Sequence, residues 1–327
     1  MIQKWWIPFI INNISIFVIF SILGTTITLN SNTWWLGWLG MEVNLLGFII
    51  LLTFNNFNER SLKYFVVQSL GSVIFIRRSL LIEVTKNWFV LLLLVISLTL
   101  KLGAAPFHIW IPIIAENISK YQLLFLLTWQ KLAPFFLLFS VIQKKRIFIF
   151  AVCSLIIGAV GSINELRTFT LLIYSSINHT GWILIILVTN ELITIIYILI
   201  YTLLISNVIY YLNSKNRIIL WLTNNKNRKI LFFNILSLGG LPPFSGFIIK
   251  WILITELYKI LNIFINFLRI LTSIILLYFY LRLTVKRFLK SYTNLLLPKI
   301  RQNKFINIIS ILNLTRLCIF MLYIFSI

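Results

Sequence analysis

Residues 98–110 read LTLKLGAAPFHIW. The stretch interrupts an apolar setting: no charged residue stands from Trp88 to Leu100, and another greasy run follows Lys120. Proline removes a helical hydrogen bond and its ring clashes with the preceding turn, while glycine relaxes the backbone. The stretch therefore reads as an apolar helix broken at Gly103 and Pro106, with Lys101 just before the break. What such a lysine does depends on the solvent around it.

That solvent is a bilayer. The chain has 327 residues, 60% of them hydrophobic, with a mean hydropathy of +0.98. A water-soluble exterior must be largely polar, and this sequence cannot supply one. Apolar runs of about 20 residues become spanning helices, because only helices and closed barrels satisfy the backbone in lipid. Alternating strand patterns are absent, so the expected class is an all-α polytopic membrane protein. Eleven spans are expected, at 8–29, 33–54, 61–82, 88–114, 121–142, 147–162, 166–188, 193–212, 231–257, 260–283 and 305–325. The connecting segments are too short to fold as domains, so residues 1–327 are expected to form one integral membrane domain.

The formal charge of +22 suggests nucleic acid only until its distribution is considered. Lys and Arg fall mostly in short loops between the apolar runs, which is the pattern that orients membrane proteins. Sixteen lie on the side of the N-terminus and seven on the other. The N-terminus is thus expected on the positive side and, with an odd number of spans, the C-terminus opposite. No cleavable leader is evident, since Met1–Pro8 is short and aromatic and leads into the first span. Cys153 and Cys318 lie far apart in apolar runs, form no CxxC pair, and read as small hydrophobes.

Five ionisable residues fall well inside expected spans: Glu42, Lys101, Lys131, His179 and Lys250. A charge at the bilayer centre costs about 2.5–3.5 kcal/mol on insertion scales, so it normally faces a polar interior. Snorkelling does not rescue Lys101 or Lys131, which stand roughly ten residues at 1.5 Å each from either surface. Glu42 needs a cation to stay charged. His179 is the weakest candidate, because neutral imidazole is tolerable between helices. His108 lies beside Pro106 and reads as structural. Arg269 and Arg316 also fall in expected spans, where snorkelling or a partner subunit would satisfy them.

A second stretch matches the first. Gly103-Ala-Ala-Pro106-Phe107 and Gly240-Leu-Pro242-Pro243-Phe244 share the pattern G-x-x-P-F, each inside a long apolar run. Two interrupted helices in corresponding positions are a pointer to inverted-repeat transporters. Lys101 precedes its break and Lys250 follows its own, as an inversion requires. A lysine beside unwound backbone in a partly wet cavity can exchange protons.

These motifs resemble the antiporter-like membrane subunits of respiratory complex I. The matching stretches are WLGMEVNL (38–45), SLKYF (61–65), LKLGAAPFHIW (100–110) and TWQKLAP (128–134). SSINHTGW (175–182), LSLGGLPPFSGF (236–247) and YLR (280–282) continue the series in family order. The resemblance implies a Glu42–Lys101 charge pair and a polar axis continuing through Lys131 and Lys250, with His179 on the linking helix. It implies an antiporter-like core over about 33–283, a basic loop and last helix over 284–327, and eleven helices where the full-length form has fourteen. It further implies a proton-translocating subunit of the mitochondrial inner membrane, with its N-terminus in the matrix and its C-terminus in the intermembrane space. Neighbouring membrane-arm subunits and lipids such as cardiolipin are the implied partners, and nucleic acid is not one. No cofactor or metal is expected in this chain; NADH, FMN, iron–sulfur clusters and ubiquinone would be bound by partner subunits. Where relatives are apolar this chain carries Arg77 and Arg78, so its third span is expected to be short or end-exposed.

Two other readings stay open on sequence. One is an Mrp-type or stand-alone cation/proton antiporter with the same fold. The other is a structural scaffold whose polar residues hold helices together.

Overall fold

The computed structural model describes residues 3–53, 59–84, 88–115, 118–141, 147–163, 165, 167–212, 225–242, 244–258 and 263–291. Among them every regular element is an α-helix, and six helices are long and apolar enough to cross a membrane. The expected last span at 305–325, with Arg316 and Cys318, lies outside the described residues. So do Pro243 and most of the basic segments at 213–224 and 292–304.

The helices gather in two compact units, Met1–Ile157 and Gly158–Ile327. The first holds α1 (Gln3–Leu29), α2 (Trp34–Thr53), α3 (Glu59–Val84), α4 (Trp88–Leu102), α5 (Trp110–Ala115), α6 (Lys120–Leu127) and α7 (Trp129–Phe139). The chain passes between the units within α8 (Ile147–Gly161). The second unit holds α9 (Thr168–Thr189), α10 (Glu191–Tyr211), α11 (Asn225–Gly239), α12 (Ser245–Tyr258) and α13 (Ile263–Ser291).

In the first unit α2 packs against α1, α3 and α7, and α4 against α3 and α7. The start of α6 is fixed by its own sequence. Ser119 and Gln122 form a capping box, and the Gln122 amide also donates to the Leu51 carbonyl at the end of α2, 2.7 Å away. In the second unit α9 is the centre: from Thr168 to Leu187 every residue except Tyr174 is buried. A helix that is apolar nearly all round has no solvent face to present. It meets α10, α12 and α13.

Both expected breaks end a helix in the same way. Gly103 has φ +65° and Gly240 φ +79°, a left-handed conformation that glycine adopts without steric cost. At the first, Ala104 N–H donates to Thr99 O and Gly103 N–H to Leu100 O. At the second, Leu241 N–H donates to Leu236 O and Gly240 N–H to Ser237 O. Each is the paired hydrogen-bond pattern of a Schellman motif, which closes the terminal carbonyls back on the chain.

Three features differ from the sequence reading. The expected fifth span is kinked at Thr128, where α6 gives way to α7 at φ −115°, ψ −76°. Pro134 lies inside α7, so the Gln130 carbonyl loses its helical partner and the chain tightens ahead of it. The third span is not shortened by its arginines: α3 runs unbroken through Arg77 and Arg78, and the Arg78 guanidinium lies 5.8 Å from the Phe89 ring. Arg269 does not snorkel, being fully buried on α13.

Candidate functional site

The sequence places Glu42 on α2 and Lys101 in the last turn of α4. Helix packing brings them together, with Lys101 Nζ 3.3 Å from Glu42 Oε1. The lysine side chain is 3% exposed and the glutamate 25%. Breaking a fully buried ion pair costs about 3–5 kcal/mol, because the remaining charge is stranded. The partial exposure of Glu42 puts this pair toward the lower end of that range.

The end of α4 is arranged so that Lys101 is left to the carboxylate. Its backbone carbonyl accepts from the Gln68 amide at 3.2 Å, and the Leu100 carbonyl accepts from Trp110 Nε1 at 3.3 Å. Neutral donors thus occupy the carbonyls that a cation would otherwise cap. Gly71 on α3 lets that helix approach closely: a Cβ there would lie 3.0 Å from Lys101 Cγ.

Lys131 is buried on α7, one turn past the kink at Thr128. Next to it Gln130 joins three helices. Its amide donates to Asn44 Oδ1 on α2 at 3.1 Å, and its carbonyl oxygen accepts from the Tyr64 hydroxyl on α3 at 3.1 Å. Tyr64 is itself packed between Phe48 and Trp110. This Tyr64–Gln130–Asn44 chain was not singled out from sequence. Its signal was present, since Asn44 stands two residues after Glu42 and Gln130 one before Lys131.

The second unit holds the other two residues in separate surroundings. His179 is buried on α9, its Nδ1 2.7 Å from the Tyr197 hydroxyl on α10, with the Tyr201 ring 4.9 Å away. Lys250 is buried on α12 and folds back across the break, donating from Nζ to the Gly239 carbonyl at 2.9 Å. A cation at the carbonyl end of a helix meets the negative end of its dipole. Among the break residues, Pro106 and Pro242 are exposed, and Gly103 is buried. His108 sits beside the first break with Nδ1 3.2 Å from the Pro106 carbonyl oxygen. Five ionisable groups that sequence placed inside spans are therefore buried or half-buried, and two of them meet as an ion pair.

Comparison with known proteins points one way. A family model described as NADH:quinone oxidoreductase/Mrp antiporter, TM, matches residues 77–276, a range that holds Lys101, Lys131, His179 and Lys250 but not Glu42. NADH-ubiquinone oxidoreductase chain 2 of Anopheles gambiae is 38% identical, over 85% of this chain and 86% of that one. The chain 2 of Aedes aegypti is 36% identical over the same shares. Among solved structures, a chain of Thermus thermophilus respiratory complex I with bound aureothin superimposes with a TM-score of 0.77 at 22% identity, over 93% of this chain and 77% of that one. The Mrp complex from Dietzia gives 0.73 at 18% identity, over 82% and 59%. An archaeal membrane-bound sulfane sulfur reductase gives 0.80 at 16% identity, over 95% and 72%. At those identities the solved structures establish the fold.

Proposed function

The chain belongs to the NADH:quinone oxidoreductase/Mrp antiporter membrane family, with relatives named NADH-ubiquinone oxidoreductase chain 2, and from that premise we propose that it is a core membrane-arm subunit of the proton-translocating NADH:ubiquinone oxidoreductase. The observation that carries this reading is the Glu42–Lys101 ion pair, placed at the end of an interrupted helix. An ionic contact of this kind has two states, closed and opened, and it can couple the passage of a proton to a movement elsewhere.

In this reading protons are carried by Glu42, Lys101, Lys131 and Lys250, with His179 contributing on the linking helix. Redox chemistry belongs to partner subunits, which bind NADH, FMN, iron–sulfur clusters and ubiquinone. The fold is an inverted repeat of eleven spans, built around the two breaks and lacking three N-terminal helices of the longer form. The chain lies in the mitochondrial inner membrane with its N-terminus in the matrix and its C-terminus in the intermembrane space. Neighbouring membrane-arm subunits and lipids such as cardiolipin cover its outer faces.

The Mrp-type reading is less favoured, because the relatives of highest identity named here are chain 2 proteins and the Mrp likeness is one of fold. Purification separates the two. The chain should co-purify with NADH dehydrogenase activity, and the purified complex should acidify or alkalinise sealed vesicles when NADH is oxidised. A chain isolated with cation/proton exchange activity and no NADH oxidation would overturn the proposal.

A further inference from the structure

Arg269 has no place in the proton axis described above, yet it is fully buried. Its guanidinium carbon lies 4.3 Å from the centre of the Trp182 ring, and Nη1 donates to Asn266 Oδ1 at 3.3 Å. Its Nε and Nη2 have no hydrogen-bond partner among the described residues. The carboxylates described in this unit, Glu165, Glu191 and Glu256, are at least partly exposed, and none forms an ion pair with it. The indole is thus the stacking partner of this cation, beside the Asn266 bond and the nearby Tyr197 hydroxyl group. Stacking of this kind is stronger when the cation is desolvated, as it is here.

Trp182 is equally dependent on the contact. A buried indole is ordinarily oriented by a hydrogen bond from its ring N–H. Trp182 is fully buried, and its Nε1 has no such partner among the described residues. The same ring lies 6.0 Å from Lys250 Nζ, which bonds the Gly239 carbonyl. Taking both distances to the ring, the two cations are no more than about 10 Å apart.

We propose that Arg269 is a positioning residue, which holds Trp182 in place beside Lys250 and so keeps the lysine ammonium seated on the carbonyl end of α11. Guanidinium does not give up its proton in proteins, whereas a lysine can. The grip of Arg269 on the indole therefore stays constant while Lys250 exchanges protons, and the ring returns the lysine to one place each time. The proposal rests on the reading of Lys250 as a proton carrier.

The test is proton translocation per NADH oxidised, measured on the purified complex in proteoliposomes. Arg269→Met, of similar reach but uncharged, should lower it on the order of tenfold with assembly intact. Arg269→Lys, which restores a cation over the ring, should recover most of that loss. Trp182→Phe should keep translocation, and Trp182→Leu should lose it as Arg269→Met does. Unchanged translocation in assembled Arg269→Met overturns the proposal. If that variant does not assemble, the tryptophan pair decides, and equal translocation by Trp182→Phe and Trp182→Leu overturns it. Lys250→Met is run beside them. Normal translocation there removes the proton-carrier reading and this proposal together, whereas loss there with none in Arg269→Met removes this proposal alone.

Discussion

Lys250 and Gly239 stand eleven residues apart and meet across the break, ammonium to carbonyl, at 2.9 Å. The lysine stem passes directly over Gly240. A Cβ on Gly240 would lie 2.9 Å from Lys250 Cδ and 3.1 Å from Nζ, and the backbone there has φ +79°. Gly240→Ala is therefore expected to cost about 1–3 kcal/mol of stability, through backbone strain and the displaced side chain. It should also unseat Lys250 and lower proton translocation. Thermal unfolding of the purified complex and vesicle acidification measure the two effects; an alanine variant normal in both refutes this geometry.

Lys101→Met is expected to leave assembly intact and to abolish or sharply lower proton pumping and coupled quinone reductase activity. The apolar stem is retained, so packing against Gly71 persists while the charge facing Glu42 is lost. Native gel analysis checks assembly, and a pH-sensitive dye checks pumping. Full pumping by an assembled variant removes Lys101 from the axis.

Glu42 and Lys101 are expected to behave as one unit in a double-mutant cycle. Removing either charge strands the other, so Glu42→Gln with Lys101→Met should lose less than the two single losses combined. Residues in one ion pair couple by about 0.5–3 kcal/mol. Losses that add, in free energy taken from pumping rates, mean that the pair is not coupled.

Gln130→Leu tests the polar chain that joins α2, α3 and α7. It leaves the Tyr64 hydroxyl and the Asn44 amide oxygen without the bonds described above. An unsatisfied buried polar group costs about 1–3 kcal/mol. A lowered unfolding temperature is expected, and a variant as stable as the parent shows that the chain carries no stability.

The basic segments around 215–229 and 286–304 are expected to face the matrix. Protease added to inside-out inner-membrane vesicles should cut there, and protease added to intact mitoplasts should not. The reverse pattern turns the topology over.

Sequence made the interruptions at Gly103 and Gly240 legible because glycine and proline act on the chain within a turn of where they stand. Lys101, Lys131 and Lys250 stood out for a similar reason: charge is rare in an apolar run and its cost there is large. The kink at Thr128 was harder to see. Pro134 acts on the carbonyl four residues earlier, and the tightening shows further back still, within a run that otherwise reads as one helix. The burial of Arg269 could not be read at all from its own surroundings. It depends on which side of α13 meets Trp182, a matter of packing between segments far apart in the chain. The same holds for Gln130, whose partners lie 66 and 86 residues away.

The two Schellman-closed helix ends differ in what finishes them, a neutral pair of donors at one and an ionisable side chain at the other. At α4 the last carbonyls are held by Gln68 and Trp110, neutral donors whose bonds do not change when a proton comes or goes. At α11 the carbonyl of Gly239 is held by Lys250 itself. A charge-assisted hydrogen bond is roughly twice as strong as a neutral one, so under the proposed role of Lys250 as a proton carrier a departing proton would loosen that end and an arriving one would tighten it. The first break behaves as a bearing, the same under every load. The second, under that proposed role, is a latch, and any rocking of half-helices timed by protonation would start there.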